Sequence, residues 1–305
     1  MKKFLKKLSL FLATFLLLAA LFFLVLTPLF PIDLGSFPVL TERLDQLKSR
    51  EASRPTIALI GGSNLYYGIE DSLLQNTFSN QIQIVNLGFH AGIGLGNMLE
   101  DYTTTLKQGD IICLAPEYDH WFSPSWSGGV GALSYNLDYR HVPIYYLAFR
   151  KYSSIPRRGW STYFKAKVLT LLGKKDYAGM GVKDLNKVPS TYQPHYASRP
   201  IKKTAALIPN ETAFAYFEKF LADMNKRGIK VILSAPAYDA RHYALHREEI
   251  AALYQRIQSL GVKQISNPDD YAFPLEQMYD TEYHLNALGR TNRTLRLIHD
   301  LRQNL

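Results

Sequence analysis

The sequence predicts an α/β fold: a doubly wound, mostly parallel five-stranded sheet, with an N-terminal transmembrane helix and an irregular insertion. Three observations carry this. Five short β-rich runs alternate with amphipathic stretches that end in glycine. The middle runs are continuously apolar, as expected where helices cover both faces of a parallel strand. Residues that carry chemistry cluster just past the ends of those runs, where open α/β sheets bind ligands.

The chain begins with Met1-Lys2-Lys3-Phe4-Leu5-Lys6-Lys7, and from Leu8 to Phe30 it carries no charge. As a helix, that run is about 34 Å long, enough to cross a bilayer. A cleaved signal peptide has a shorter apolar region and small residues at its cleavage site. Here Leu21 to Leu26 follow the only alanine pair in the run, which favours an uncleaved signal anchor. Lysines before the run and none just after it orient the N-terminus to the cytoplasm. Residues 1–32 are thus expected to be a cytoplasmic tip and anchor in the cell membrane, and the C-terminal domain is expected to be extracytoplasmic. Residues 33–54 form a juxtamembrane linker. Within it, 41–50 reads as a helix with Thr41 as N-cap.

From 55 to 305 the α/β rhythm takes over. Strands are expected at 56–60, 82–87, 110–115, 229–235 and 262–265. Helices are expected at 211–227 (after Asn210 and before Gly228), 243–260 (before Gly261) and 287–302 (after Asn286). Residues 121–205 break the rhythm and read as a tyrosine-rich insertion of short helices and loops.

Composition sets further bounds. The net charge is +9, with lysine and arginine concentrated between 140 and 203. Nucleic acid is a poor partner for an exported domain; anionic lipid or an anionic cell-surface polymer fits better, and a solvated basic face fits as well. The single cysteine, Cys113, lies in an apolar run and reads as a buried structural thiol. His90 and His120 sit near two strand ends but share no metal-ligand spacing with a carboxylate, so neither a metal nor a cofactor is expected. Trp121 and Trp126 suit either sugar stacking or packing.

The strand ends read Gly61-Gly62-Ser63-Asn64, Asn86-Leu87-Gly88, Glu117-Tyr118-Asp119, and later Asp280-Thr281-Glu282-Tyr283-His284 before the last helix. Ser63 is either turn punctuation or a nucleophile. A nucleophilic serine needs a base, and the base needs an orienting acid. His284 is the candidate base, Asp280 the preferred acid and Glu282 the second choice.

These blocks resemble the SGNH/GDSL hydrolase superfamily, over roughly 55–125 and 205–305. The resemblance implies a flavodoxin-like fold, Ser63 as nucleophile, and backbone N–H groups of Ser63 and Gly88 as the oxyanion hole. His284 and Asp280 complete its triad. Three departures stand out. Gly62 replaces the Asp of Gly-Asp-Ser, Glu117-Tyr118-Asp119 stands where an Asn is usual, and Asp280 is four residues before His284 rather than three. Tyr118 through its hydroxyl, or Glu117 if protonated, are the alternates for the missing donor. The pattern is similar to divergent membrane-anchored members such as the teichoic-acid D-alanylation protein DltD and the alginate O-acetylation proteins. That implies an O-acyltransferase or esterase acting on a cell-surface glycopolymer beside a multispanning membrane acyltransferase. A plain esterase, a non-catalytic scaffold and a lipid- or glycan-binding module remain the rival readings.

Overall fold

The computed structural model describes residues 1–22, 29, 31–32, 37–51, 53–78, 82–122, 124–142, 147, 155–173, 194–198, 201 and 209–305. Helix α1 (Lys2–Leu21) is long and apolar enough to span a membrane, and none of its residues is buried against the rest of the protein. Most of the expected continuation to Phe30 lies outside the described residues.

Helix α2 (Phe37–Lys48) starts earlier than its sequence suggests. Thr41 is not its cap but lies one turn inside, its hydroxyl donating to the Phe37 carbonyl. Pro38 explains the shift, because the first turn of a helix has no use for the amide that proline lacks. This helix docks on the sheet domain. Leu40 and Leu47 are fully buried, and Arg50, just past its end, pairs with buried Asp110 at 2.7 Å.

The sheet strands β1 (Thr56–Gly61), β2 (Gln83–Asn86), β3 (Ile111–Ala115), β4 (Lys230–Leu233) and β6 (Lys263–Gln264) fall where the apolar runs predict. All pairings are parallel, in the order β2-β1-β3-β4-β6. Two short strands, β5 (Tyr238–Asp239) and β7 (Ala272–Phe273), form a separate parallel pair that the sequence did not announce.

Alternation along the strands builds two cores. Ala58, Ile60, Ile112 and Leu114 face one side, together with residues of α2 and of α5 (Leu95–Tyr102) and α7 (Glu211–Lys226). Ile57, Leu59, Cys113 and Ala115 face the other, under α3 (Ser63–Gly68), α4 (Asp71–Phe78) and α9 (Ala287–Asn304). Both faces are therefore apolar, which is why the strands read as unbroken hydrophobic runs. Burial pushes the Cys113 thiol up to about 12, so it stays neutral and inert.

Local signals set most helix ends. Asn210 and Asn286 cap α7 and α9 through their side chains. Gly228 and Gly261 follow α7 and α8 (Ala240–Ser259) with positive φ. Helix α8 begins three residues before its expected start because the Asp239 side chain caps it.

In the insertion, α6 (Arg157–Leu171) packs beside a short helix at Val130–Leu133. A buried cluster holds it there: Lys167 Nζ and the Tyr163 hydroxyl both donate to Asp138 Oδ1. The other Asp138 oxygen accepts the Ile32 amide at 3.0 Å, tying the segment after α1 to the insertion. Trp121 and Trp126 are core residues packed on Phe217; packing, not sugar stacking, occupies both indoles.

Candidate active site

Strand register brings the first two site residues together. Gly61 of β1 pairs with Ala115 of β3, and two residues beyond each stand Ser63 and Glu117. The Ser63 hydroxyl donates to Glu117 Oε1 at 2.9 Å, and the Asn64 amide donates to the same oxygen at 3.1 Å. Glu117 is only 5% exposed. Gly62 makes this approach possible, since a Cβ there would lie 2.5 Å from Glu117 Oε1. The departure from Gly-Asp-Ser and the unusual glutamate are thus one feature: the space left by the missing side chain is filled by Glu117.

Arg293 of α9 anchors the turn from the other side. Its guanidinium donates to the Asn64 carbonyl and, at 2.8 Å, to Asn64 Oδ1, while Asn64 Nδ2 donates to the Ala115 carbonyl at 2.9 Å. Burial pushes Arg293 down to about 10, yet it remains the cation that completes Asn64. The sequence offered no signal for it, because an arginine in a surface-looking helix is ordinary.

His284 Nδ1 lies 2.7 Å from Asp280 Oδ1. The carboxylate accepts the Nδ1 proton, which leaves Nε2 as the basic nitrogen. A tight reversal absorbs the extra residue between them. The Tyr279 amide donates to the His284 carbonyl, Met278 bridges Leu285, and the Thr281 hydroxyl accepts the amides of Tyr283 and His284. Glu282 does not take part in that pair. Its carbonyl accepts the Asp239 amide, and its charge acts on Asp119.

One contact links the His284 ring to the helix that carries Ser63. Its imidazole packs against the Tyr67 ring with centroids 4.2 Å apart and the planes tilted by 32°, and Tyr67 is one helical turn after Ser63 on α3, hence on the same face. His90, beyond β2, is held down chiefly by burial, with Glu117 opposing and the His284 charge reinforcing. His90 therefore lies within the field of both groups. Its Nδ1 accepts the Gly92 amide at 2.8 Å. Asp119 is raised to about 6, first by loss of solvent around its carboxylate and then by Glu117 and Glu282.

The remaining oxyanion candidates are differently placed. The Gly88 amide donates to Asn86 Oδ1 at 2.9 Å. Asn86 Nδ2 in turn donates to Asp71 Oδ1, and Asp71 Oδ2 pairs with Arg43, which also donates to the Gly88 carbonyl. Gly88 is thus held in a ring of side chains that reaches back to α2. The Tyr118 ring lies in an aromatic cluster with Tyr238, Tyr254 and Tyr283. Burial, reinforced by its tyrosine neighbours, pushes its phenol well above the usual range.

Beside Glu117 opens a cavity of about 380 Å³, lined by His90, Asp119, His120, Arg158 and the backbone of several glycines. His120 is fully buried, with Nε2 donating to the Ala91 carbonyl, and burial lowers its pKa. Among the described residues, no group of three or more His, Cys, Asp or Glu could hold a metal ion.

No family model and no curated protein matches the chain. Two of the solved structures similar to it illustrate the likeness. One is a Streptococcus pneumonia protein provisionally assigned as a platelet activating factor, 15% identical, TM-score 0.45, covering 89% of this chain and 93% of its own. The other is the acetyl xylan esterase AlAXEase, 12% identical, TM-score 0.41, covering 82% of this chain and 99% of its own. At such scores neither likeness bears on activity, which rests on the site geometry.

Proposed function

We propose that this protein is a serine-dependent O-acyltransferase or esterase that works through an acyl-Ser63 intermediate on a cell-surface glycopolymer. In this reading α1 anchors it in the membrane, the sheet domain lies outside, and a multispanning acyltransferase is its partner. The observation that carries the chemistry is the packing of His284, already paired with Asp280, against Tyr67, one turn from Ser63. A serine, an imidazole with one free basic nitrogen and an orienting carboxylate thus share one rim, which is what acyl transfer requires.

Ser63 Oγ attacks the acyl carbonyl and expels the donor's leaving group. An acceptor hydroxyl or water then attacks the acyl-serine, with His284 Nε2 taking its proton and Asp280 stabilising the imidazolium. Ser63, as the first residue of α3, has an amide without an intrahelical acceptor, available to the oxyanion. Gly88 would serve as second donor once Asn86 releases its amide. The lysine- and arginine-rich stretch 140–203 supports an anionic polymer as acceptor.

Intact mass after incubation with activated acetyl or aminoacyl esters tests this. Wild type should gain acyl mass that Ser63→Ala lacks; no gain across a donor panel refutes the covalent route. The occupied Gly88 amide favours a second reading, a non-catalytic scaffold for a membrane acyltransferase. Unchanged surface acylation in a Ser63→Ala strain would select it.

A further inference from the structure

We propose that Glu117, rather than His284, takes the Ser63 proton when the acyl-serine forms, so that the site divides its two proton transfers between two bases. This rests on the acyl-serine reading above.

A general base must touch the proton it removes. Among the described residues, the hydrogen bond of the Ser63 hydroxyl is made to Glu117 Oε1 at 2.9 Å. The carboxylate is walled in: 5% exposed, against Gly62 on one side and on the wall of the 380 Å³ cavity on the other. Among the described residues, the Asn64 amide and the Ser63 hydroxyl itself donate to Oε1. The backbone enforces the contact, because the Gly61–Ala115 register and the absent Cβ at Gly62 leave the carboxylate one place to go. His284 meanwhile packs against Tyr67 and points Nδ1 at Asp280, leaving Nε2 to serve a hydroxyl arriving from outside.

The two steps balance. With a donor R–CO–X, the Oγ–C bond forms and the C–X bond breaks; the Ser63 proton passes to Glu117 and from it to X, which leaves as XH. With an acceptor R′OH, the R′O–C bond forms and the C–Oγ bond breaks. The R′OH proton goes to His284 Nε2 and from it to Ser63 Oγ. Nothing is oxidised or reduced.

Rapid-quench intact mass and p-nitrophenolate release from p-nitrophenyl acetate separate the steps in the full-length protein. Glu117→Gln, nearly isosteric, should slow acylation at least a hundredfold. His284→Asn should acylate within about tenfold of wild type but accumulate acyl-Ser63, because its deacylation is slowed about a hundredfold or more. Acylation of Glu117→Gln within about tenfold of wild type overturns the assignment. So does a His284→Asn variant that loses acylation as fully as Glu117→Gln. If Glu117→Gln lacks a cooperative thermal transition, Glu117→Asp decides. Acylation slowed about tenfold or more with deacylation unchanged supports the proposal; unchanged acylation overturns it. Wild type that gains no acyl mass removes the acyl-serine reading itself and this assignment with it, a result distinct from any variant's behaviour.

Discussion

Replacing Arg293 tests whether the nucleophile turn is held by tertiary contacts. Arg293 is 1% exposed and Asn64 fully buried. Confinement lowers the guanidinium to about 10, a penalty of roughly 3 kcal/mol on its charged form. Against that stand two charge-assisted hydrogen bonds to the Asn64 carbonyl and Oδ1, each contributing about 1.5–3 kcal/mol. The intact arrangement is thus close to neutral, and a stability gain from the charge itself is not expected. Deletion is another matter. Arg293→Ala removes that penalty but leaves two buried oxygens without donors, at about 1–3 kcal/mol each, and a cavity where a large side chain stood, at about 2–5 kcal/mol. With roughly 3 kcal/mol recovered, the net expectation is a loss of about 1–8 kcal/mol. Arg293→Lys keeps the charge but cannot present two forked donors, so its loss should be intermediate, about 1–3 kcal/mol. Gly68→Ala should copy the defect, since its Cβ would meet Arg293 Nη1. Guanidinium chloride denaturation of the full chain reads all three. An Arg293→Ala variant as stable as wild type, or more stable, would refute this expectation, since every combination of these contributions is a net loss.

Three further outcomes follow from the same site. Asp280→Asn removes the acceptor that sets the His284 tautomer; deacylation should slow by no more than in His284→Asn, about a hundredfold, with acylation little changed. Gly62→Ala puts a methyl 2.5 Å from Glu117 Oε1. It should displace the carboxylate from Ser63 and slow single-turnover acylation roughly a hundredfold, with the thermal transition still cooperative. Asp119 is raised from 3.8 to about 6, so its ionised form is disfavoured in the folded state. The destabilisation is complete above the folded value, fades as pH falls from about 6 towards 3.8, and vanishes below. Asp119→Asn should therefore raise the melting temperature at pH well above 6 and lose that advantage at pH 4; an equal gain at both would discount the titration.

What the sequence determined by itself is what neighbouring residues decide together. Five apolar runs became five parallel strands because covering both faces leaves no polar alternation to blur them. Asn210, Asn286, Gly228 and Gly261 marked helix ends because caps and positive-φ turns act over two or three residues. Asp280 and His284 were legible as a pair for the same reason: one short reversal joins them. Local signals misled where their evidence was too short-range. Thr41 resembled a cap only until Pro38 was weighed, and Trp121 and Trp126 suited sugar stacking as well as packing until Phe217 arrived from beyond the insertion. Only the tertiary structure decided what Ser63 touches. Glu117 lies 54 residues away and reaches it through strand register; Arg293 holds Asn64 from 229 residues away; Arg43 reaches Gly88 across 45. Such pairs carry no periodicity or spacing in the chain. They arise when parallel strands set neighbouring ends side by side, and there a missing Cβ at Gly62 and a buried carboxylate at Glu117 become complementary.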